Sequence, residues 1–81
     1  MEIKILFFGI TKEITNTSNI NLSLDVEKTT LKKLKIELQK KYPNLKDLDI
    51  YAFAINEDYA TEDSLIKNAD VVAVIPPVSG G

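Results

Sequence analysis

The segment Val71 to Ile75 (VVAVI) constrains this chain more than any other. A strand at a sheet surface alternates apolar and polar residues, whereas this one is apolar on both faces. Val72 and Val74 share one face; Val71, Ala73 and Ile75 share the other. Such a run suits a central strand buried on both sides, commonly a parallel one. Pairing it with the β-rich run Glu2 to Phe8 (EIKILFF) would set the first and last strands side by side in the middle of a sheet. It would also line up Phe8 with Ile75 on a shared face. One face should go to a helix. If nothing within the chain covers the other, it is an exposed apolar patch and a partner surface.

The remaining elements fit that frame. Ile3, Ile5 and Phe7 share one face of the first run, with Lys4, Leu6 and Phe8 opposite. Gly9 interrupts the run, Thr15 to Asn19 is a polar turn cluster, and Ile20 to Val26 (INLSLDV) alternates with Ile20, Leu22, Leu24 and Val26 inward. This reads as a hairpin. Leu31, Leu34, Leu38 and Tyr42 recur at helical spacing. Thr30 is placed to cap that helix and Pro43 forbids its continuation; Ile36 falls off the apolar stripe. Ile50 to Ile55 is the third strand, followed by turn chemistry at Asn56-Glu57-Asp58 and then Tyr59. Thr61 to Asn68 reads as a short helix or turn anchored by Leu65 and Ile66. Strand, strand, helix, strand, short turn, strand is an α+β order, a mixed sheet with one crossing helix. The 81 residues make one domain, with 76–81 as an extended tail.

Composition removes most enzyme classes. There is no Cys and no His, and all ten basic residues are Lys. Thiolate metal sites, cysteine nucleophiles, Ser–His triads and arginine fingers are therefore excluded, which argues against self-contained catalysis. Lys28 to Lys46 carries a charge of +6 and Asp47 to Asp70 carries −6. With no Arg or aromatic among the lysines, the basic stretch reads as a solvated helix face rather than a nucleic-acid surface. No window spans the roughly 18–20 apolar residues a membrane requires. Without a basic, signal-like amino terminus, the expected location is cytoplasmic.

The sequence closes Pro76-Pro77-Val78-Ser79-Gly80-Gly81. Two prolines bias the backbone toward a stiff extension that makes no ladder hydrogen bonds. A Gly-Gly end has no side chain to block a narrow channel, and it leaves an unhindered carboxylate as the reactive group. A carboxylate is a poor electrophile. It needs conversion to a mixed anhydride such as an acyl adenylate, which implies an ATP-using partner. The adenylate then accepts sulfur to give a thiocarboxylate, or an amine to give an isopeptide bond.

These residues resemble a known family, the small sulfur-carrier subunits of molybdopterin synthase, across essentially the whole chain. The resemblance lies in Ile5-Leu6-Phe7-Phe8-Gly9 with Lys12-Glu13, in Ala54-Ile55-Asn56-Glu57-Asp58-Tyr59, and above all in Asp70 to Gly81. Lys12 stands where the family usually has Arg, and Asn68-Ala69-Asp70 replaces an Asp-Gly-Asp turn. The resemblance implies a ubiquitin-like β-grasp fold. It implies that a ubiquitin-activating-type enzyme adenylates Gly81 with ATP and magnesium, and that a cysteine desulfurase or rhodanese-like donor supplies sulfur. No cofactor is expected to reside in the chain itself. It further implies that the tail inserts into the large synthase subunit, in an assembly of two small and two large subunits, and delivers sulfur to cyclic pyranopterin monophosphate. Gly81 is then the reacting group, Pro76, Pro77, Val78, Ser79 and Gly80 position it, and Phe8, Lys12, Tyr59 and Ile75 are the expected docking residues. A thiamine-pathway sulfur carrier and a ubiquitin-like protein modifier share the Gly-Gly chemistry and stand as alternatives.

Overall fold

The structure, a computed structural model, describes residues 1–46 and 48–77. Ten elements follow in order: β1 (Glu2–Phe7), α1 (Ile10–Thr15), β2 (Asn19–Ser23), β3 (Lys28–Thr30), α2 (Leu31–Lys41), a 3-10 turn (Leu48–Ile50), β4 (Ala52–Ile55), β5 (Asp58–Tyr59), β6 (Leu65–Lys67) and β7 (Val71–Ile75). Five strands form one mixed sheet in the order β2-β1-β7-β4-β5, and β3 pairs with β6 apart from it. The doubly apolar strand does sit at the centre. It runs parallel to β1, with Phe7 opposite Val74, and antiparallel to β4, with Phe53 opposite the same Val74.

Alternation sorts the faces. Ile3, Ile5 and Phe7 of β1, Val72 and Val74 of β7 and Phe53 of β4 all point to one side and are buried. Leu31, Leu34 and Leu38 of α2 close over them, with Leu45, Leu48 and Ile66 filling the ends. Thr30 caps α2 as expected, its hydroxyl accepting from the Lys33 N–H at 3.3 Å. The helix stops when the Tyr42 N–H bonds to the Leu38 carbonyl at 2.8 Å, just before Pro43. The Tyr42 ring then meets Phe7 edge-on, with centroids 5.7 Å apart. Lys35 bridges Asp49 and Glu62, each at 3.4 Å, while its ammonium lies 5.1 Å from the Phe53 ring centroid.

Several local expectations give way to longer-range forces. β1 and β2 do pair antiparallel, but the connection is not a simple hairpin. It contains α1, whose buried Thr11 hydroxyl donates to the Phe8 carbonyl at 2.5 Å and whose Thr15 hydroxyl lies 2.9 Å from the Thr11 carbonyl. β2 ends at Ser23, and Val26 is exposed rather than inward. β4 begins at Ala52 because Leu48–Ile50 turns instead, burying Leu48. The helix or turn expected over Thr61 to Asn68 is a turn closed by Thr61 and Ser64, then a strand. Ile66 pairs with Thr29 and is buried, whereas Leu65 is exposed and anchors nothing. The three residues of β3 gave no independent signal, since their strand geometry depends on β6.

Candidate functional site

The sheet face away from α2 stays open. Its floor follows from register: Leu6 lies opposite Ala73, Ala73 opposite Ala54, and Ala54 opposite Tyr59. This row therefore places two small side chains between two large ones across four strands. A shallow apolar trough results, floored by Ala73 and Ala54 and walled by Leu6 and Phe8 on one side and Tyr59 and Glu57 on the other. Val71 lies toward one end and Ile75 toward the other. Tyr59 is 79% exposed and Phe8 is 48% exposed, so the walls present aromatic surface to solvent at a net cost in the free chain.

The Tyr59 wall is held by the turn between β4 and β5. Asn56 and Glu57 both have positive φ, 50° and 75°, as a two-residue type I′ hairpin requires. Asn56 tolerates this better than Glu57 does. Asn56 is also pinned to the root of β7. Its side-chain oxygen accepts from the Val71 N–H at 2.9 Å and its amide donates to Asp70 Oδ1 at 2.9 Å. Its own backbone N–H donates to the Val71 carbonyl at 2.8 Å. The other carboxylate oxygen of Asp70 accepts from the Lys67 N–H at 2.8 Å. Ala69, in this same turn, has φ 72°, so the Asn68-Ala69-Asp70 departure keeps a glycine-like backbone without glycine.

The structure thus brings Phe8 and Ile75 to one trough, as β1 and β7 alternation predicts, and the β4–β5 hairpin adds Tyr59, to which only the family resemblance pointed. Lys12 is exposed on α1, beyond the Phe8 side of the trough, and makes no ion pair among the described residues. Pro76 and Pro77 follow directly from the end of the trough. Val78, Ser79, Gly80 and Gly81 lie outside the described residues. Leu6, Ala54, Ala73 and Asn56 went unassigned from sequence. The signal for Leu6 and Ala73 was present, because alternation already put them on the faces of Phe8 and Ile75. For Ala54 and Asn56 it needed the register of β4.

The arrangement can bind, but it offers little chemistry of its own. Among the described residues no group of three or more acidic side chains could hold a metal ion, and no helix there is long and apolar enough to cross a membrane.

Comparison with known proteins places this geometry among relatives. Residues 5–81 match the ThiS family. The sequence is 37% identical to the molybdopterin synthase sulfur carrier subunit of Arabidopsis thaliana over 82 residues, covering 100% of this chain and 84% of that one. The fold is similar to that of SAMP1 from Haloferax volcanii, with a TM-score of 0.86 at 20% identity over 100% of both chains. It is also similar to a chain in the protein–protein complex of subunits 1 and 2 of the molybdopterin-converting factor from Helicobacter pylori 26695. There the TM-score is 0.71 at 29% identity, again over 100% of both chains.

Proposed function

The chain belongs to the ThiS family, and from that premise we propose that it is the sulfur-carrier small subunit of a molybdopterin synthase. One observation carries the reading. The open apolar trough ends at Ile75, and the next residues are Pro76 and Pro77, which lead into the Gly-Gly end. A partner that covers the trough therefore holds the tail by its root.

The chemistry follows from the carboxylate. A ubiquitin-activating-type enzyme, using ATP and magnesium, lets a Gly81 carboxylate oxygen attack the α-phosphorus and expel pyrophosphate. The terminal sulfur of a persulfide on a cysteine desulfurase or rhodanese-like donor then displaces AMP to form an acyl disulfide. Attack by a thiol on the donor's sulfur releases the thiocarboxylate, and the thiol ends in a disulfide. The large synthase subunit docks on the trough through Phe8, Tyr59 and Ile75, with Lys12 at its margin, and receives the tail. Two transfers to cyclic pyranopterin monophosphate build the dithiolene, which suits an assembly of two small and two large subunits. In this scheme the chain contributes geometry, and it has neither His nor Cys to serve as base or nucleophile. Similarity along the whole of this chain to the Arabidopsis thaliana carrier subunit supports this reading over the thiamine-pathway carrier. The cytoplasm, where the synthase partners would be met, is the proposed location.

The test is the intact mass of the protein isolated from its own cells, with fragmentation to locate any change, together with identification of what co-purifies. Sulfur in place of one oxygen at Gly81, with a synthase large subunit bound, is the expected result. Isopeptide conjugates on target lysines would replace this reading with the protein modifier. A thiocarboxylate bound only to thiazole-forming machinery would replace it with the thiamine carrier.

A further inference from the structure

Pro76 is the first residue beyond the sheet. On one side the pairing of β7 with β4 ends at Ile75 opposite Ala52; on the other, its pairing with β1 ends at Val74 opposite Phe7. Proline has no N–H with which to extend either ladder. From this point the course of the chain depends on the ring's own restricted φ and on what the ring rests against.

It rests against Gly9. A Cβ added at Gly9 would lie 2.9 Å from Pro76 Cγ and 3.9 Å from Pro76 Cδ. Carbon atoms pack best at roughly 3.5–4.0 Å, so the first approach cannot be kept with any side chain in place. A proline ring, closed on its own backbone, cannot swing aside as a long side chain can. Gly9 also adopts φ 55° and ψ −133°, a conformation open to glycine and strained for an L-residue. Its neighbour Phe8 stands on the trough wall and Ile75, before Pro76, closes the trough's end. The contact therefore joins one wall and the adjoining end of the docking face to the root of the tail.

We propose that Gly9 is a positioning residue for sulfur transfer: lacking a side chain, it seats the Pro76 ring against the turn after β1, and that seat sets the direction in which the chain leaves the docking face. The inference rests on the sulfur-carrier reading above. Its leverage is geometric. Four residues follow Pro77, a length that can span at most roughly 14 Å, so the direction set at Pro76 limits where Gly81 can reach. Misplacement of a reacting group by about 1 Å is enough to cost on the order of 100-fold in rate.

The experiment uses full-length chains thiocarboxylated at Gly81, wild type, Gly9→Ala, Pro76→Ala and the double variant, each with the cognate large subunit. Calorimetry gives the docking Kd, and intact mass gives the single-turnover rate of sulfur loss to cyclic pyranopterin monophosphate. Gly9→Ala should hold its docking Kd within about 3-fold while transfer slows by roughly 10- to 100-fold. Pro76→Ala should slow transfer too, and the double variant should be no slower than the slower single, because both remove one contact. An unchanged rate in Gly9→Ala, equal losses of docking and rate, or multiplied losses in the double variant would overturn the assignment. If Gly9→Ala does not fold, Pro76→Ala decides alone, and an unchanged rate there overturns it. Failure of the wild-type thiocarboxylate to transfer sulfur would instead sink the functional reading, and this proposal with it.

Discussion

Replacing Tyr59 with alanine should separate docking from folding. In the free chain the ring is 79% exposed, and Tyr59 is held in place mainly through backbone pairing with Ala54. Its loss should therefore cost the fold less than about 0.5 kcal/mol. Docking changes the ledger. A tyrosine side chain presents roughly 200 Å², so at 79% exposure about 160 Å² is free to be covered. If a partner covers half of it, about 25 cal/mol per Å² gives about 2 kcal/mol, or roughly 30-fold in Kd. The assay pairs urea unfolding of the free chain with calorimetric titration against the cognate large subunit. Tyr59→Ala should keep its urea midpoint and lose about 30-fold in affinity. Unchanged affinity would refute the identification of the trough as the docking face. A fall in stability as large as the fall in affinity would refute the claim that the ring serves the partner rather than the fold.

Three further outcomes test the fold that carries the trough. Ala69→Gly should raise stability by about 0.5–1 kcal/mol, because the left-handed backbone costs an L-residue about 1–2 kcal/mol and glycine's extra unfolded freedom returns part of that; urea midpoints would read it. Thr30→Ala removes the hydroxyl that accepts from the Lys33 N–H, and should lower stability by about 1 kcal/mol with a matching loss of amide protection in the first turn of α2. Leu34→Ala, at a fully buried position, should cost about 2–5 kcal/mol and leave a large fraction of so small a domain unfolded at 25 °C, visible by circular dichroism.

What the sequence showed and what it hid divide along the range of the forces involved. The doubly apolar run Val71–Ile75 and the β-rich run Glu2–Phe7 are local features, so the central pair was legible; which face would go to the helix and which stay open needed the packing of α2. The α2 stripe and its Thr30 cap were legible for the same reason. α1 was not. Six residues give too little periodicity to register, and its stability comes from Thr11 and Thr15 hydroxyls bonding to backbone carbonyls, which no apolar pattern reports. Leu65–Lys67 was misread because a three-residue strand exists only by virtue of its partner, Lys28–Thr30. Phe8, Tyr59 and Ile75, the residues proposed for docking, could be named from the sequence and its family resemblance, but the alanine floor between them needed the strand register. Gly9 was visible as a break; its contact with Pro76, 67 positions away, was not.

The position of β7 also orders events during synthesis. β2-β1 and β4-β5 are joined only through β7, which follows every other element of the fold in the chain. As residues emerge from the ribosome, the two pairs have no strand to join them into one sheet until Val71–Ile75 has been made, and completing the sheet waits on long-range contacts. The tail begins at the very next residue. An intact trough with a tail rooted in it therefore marks a finished fold, because only the completed sheet presents the two together.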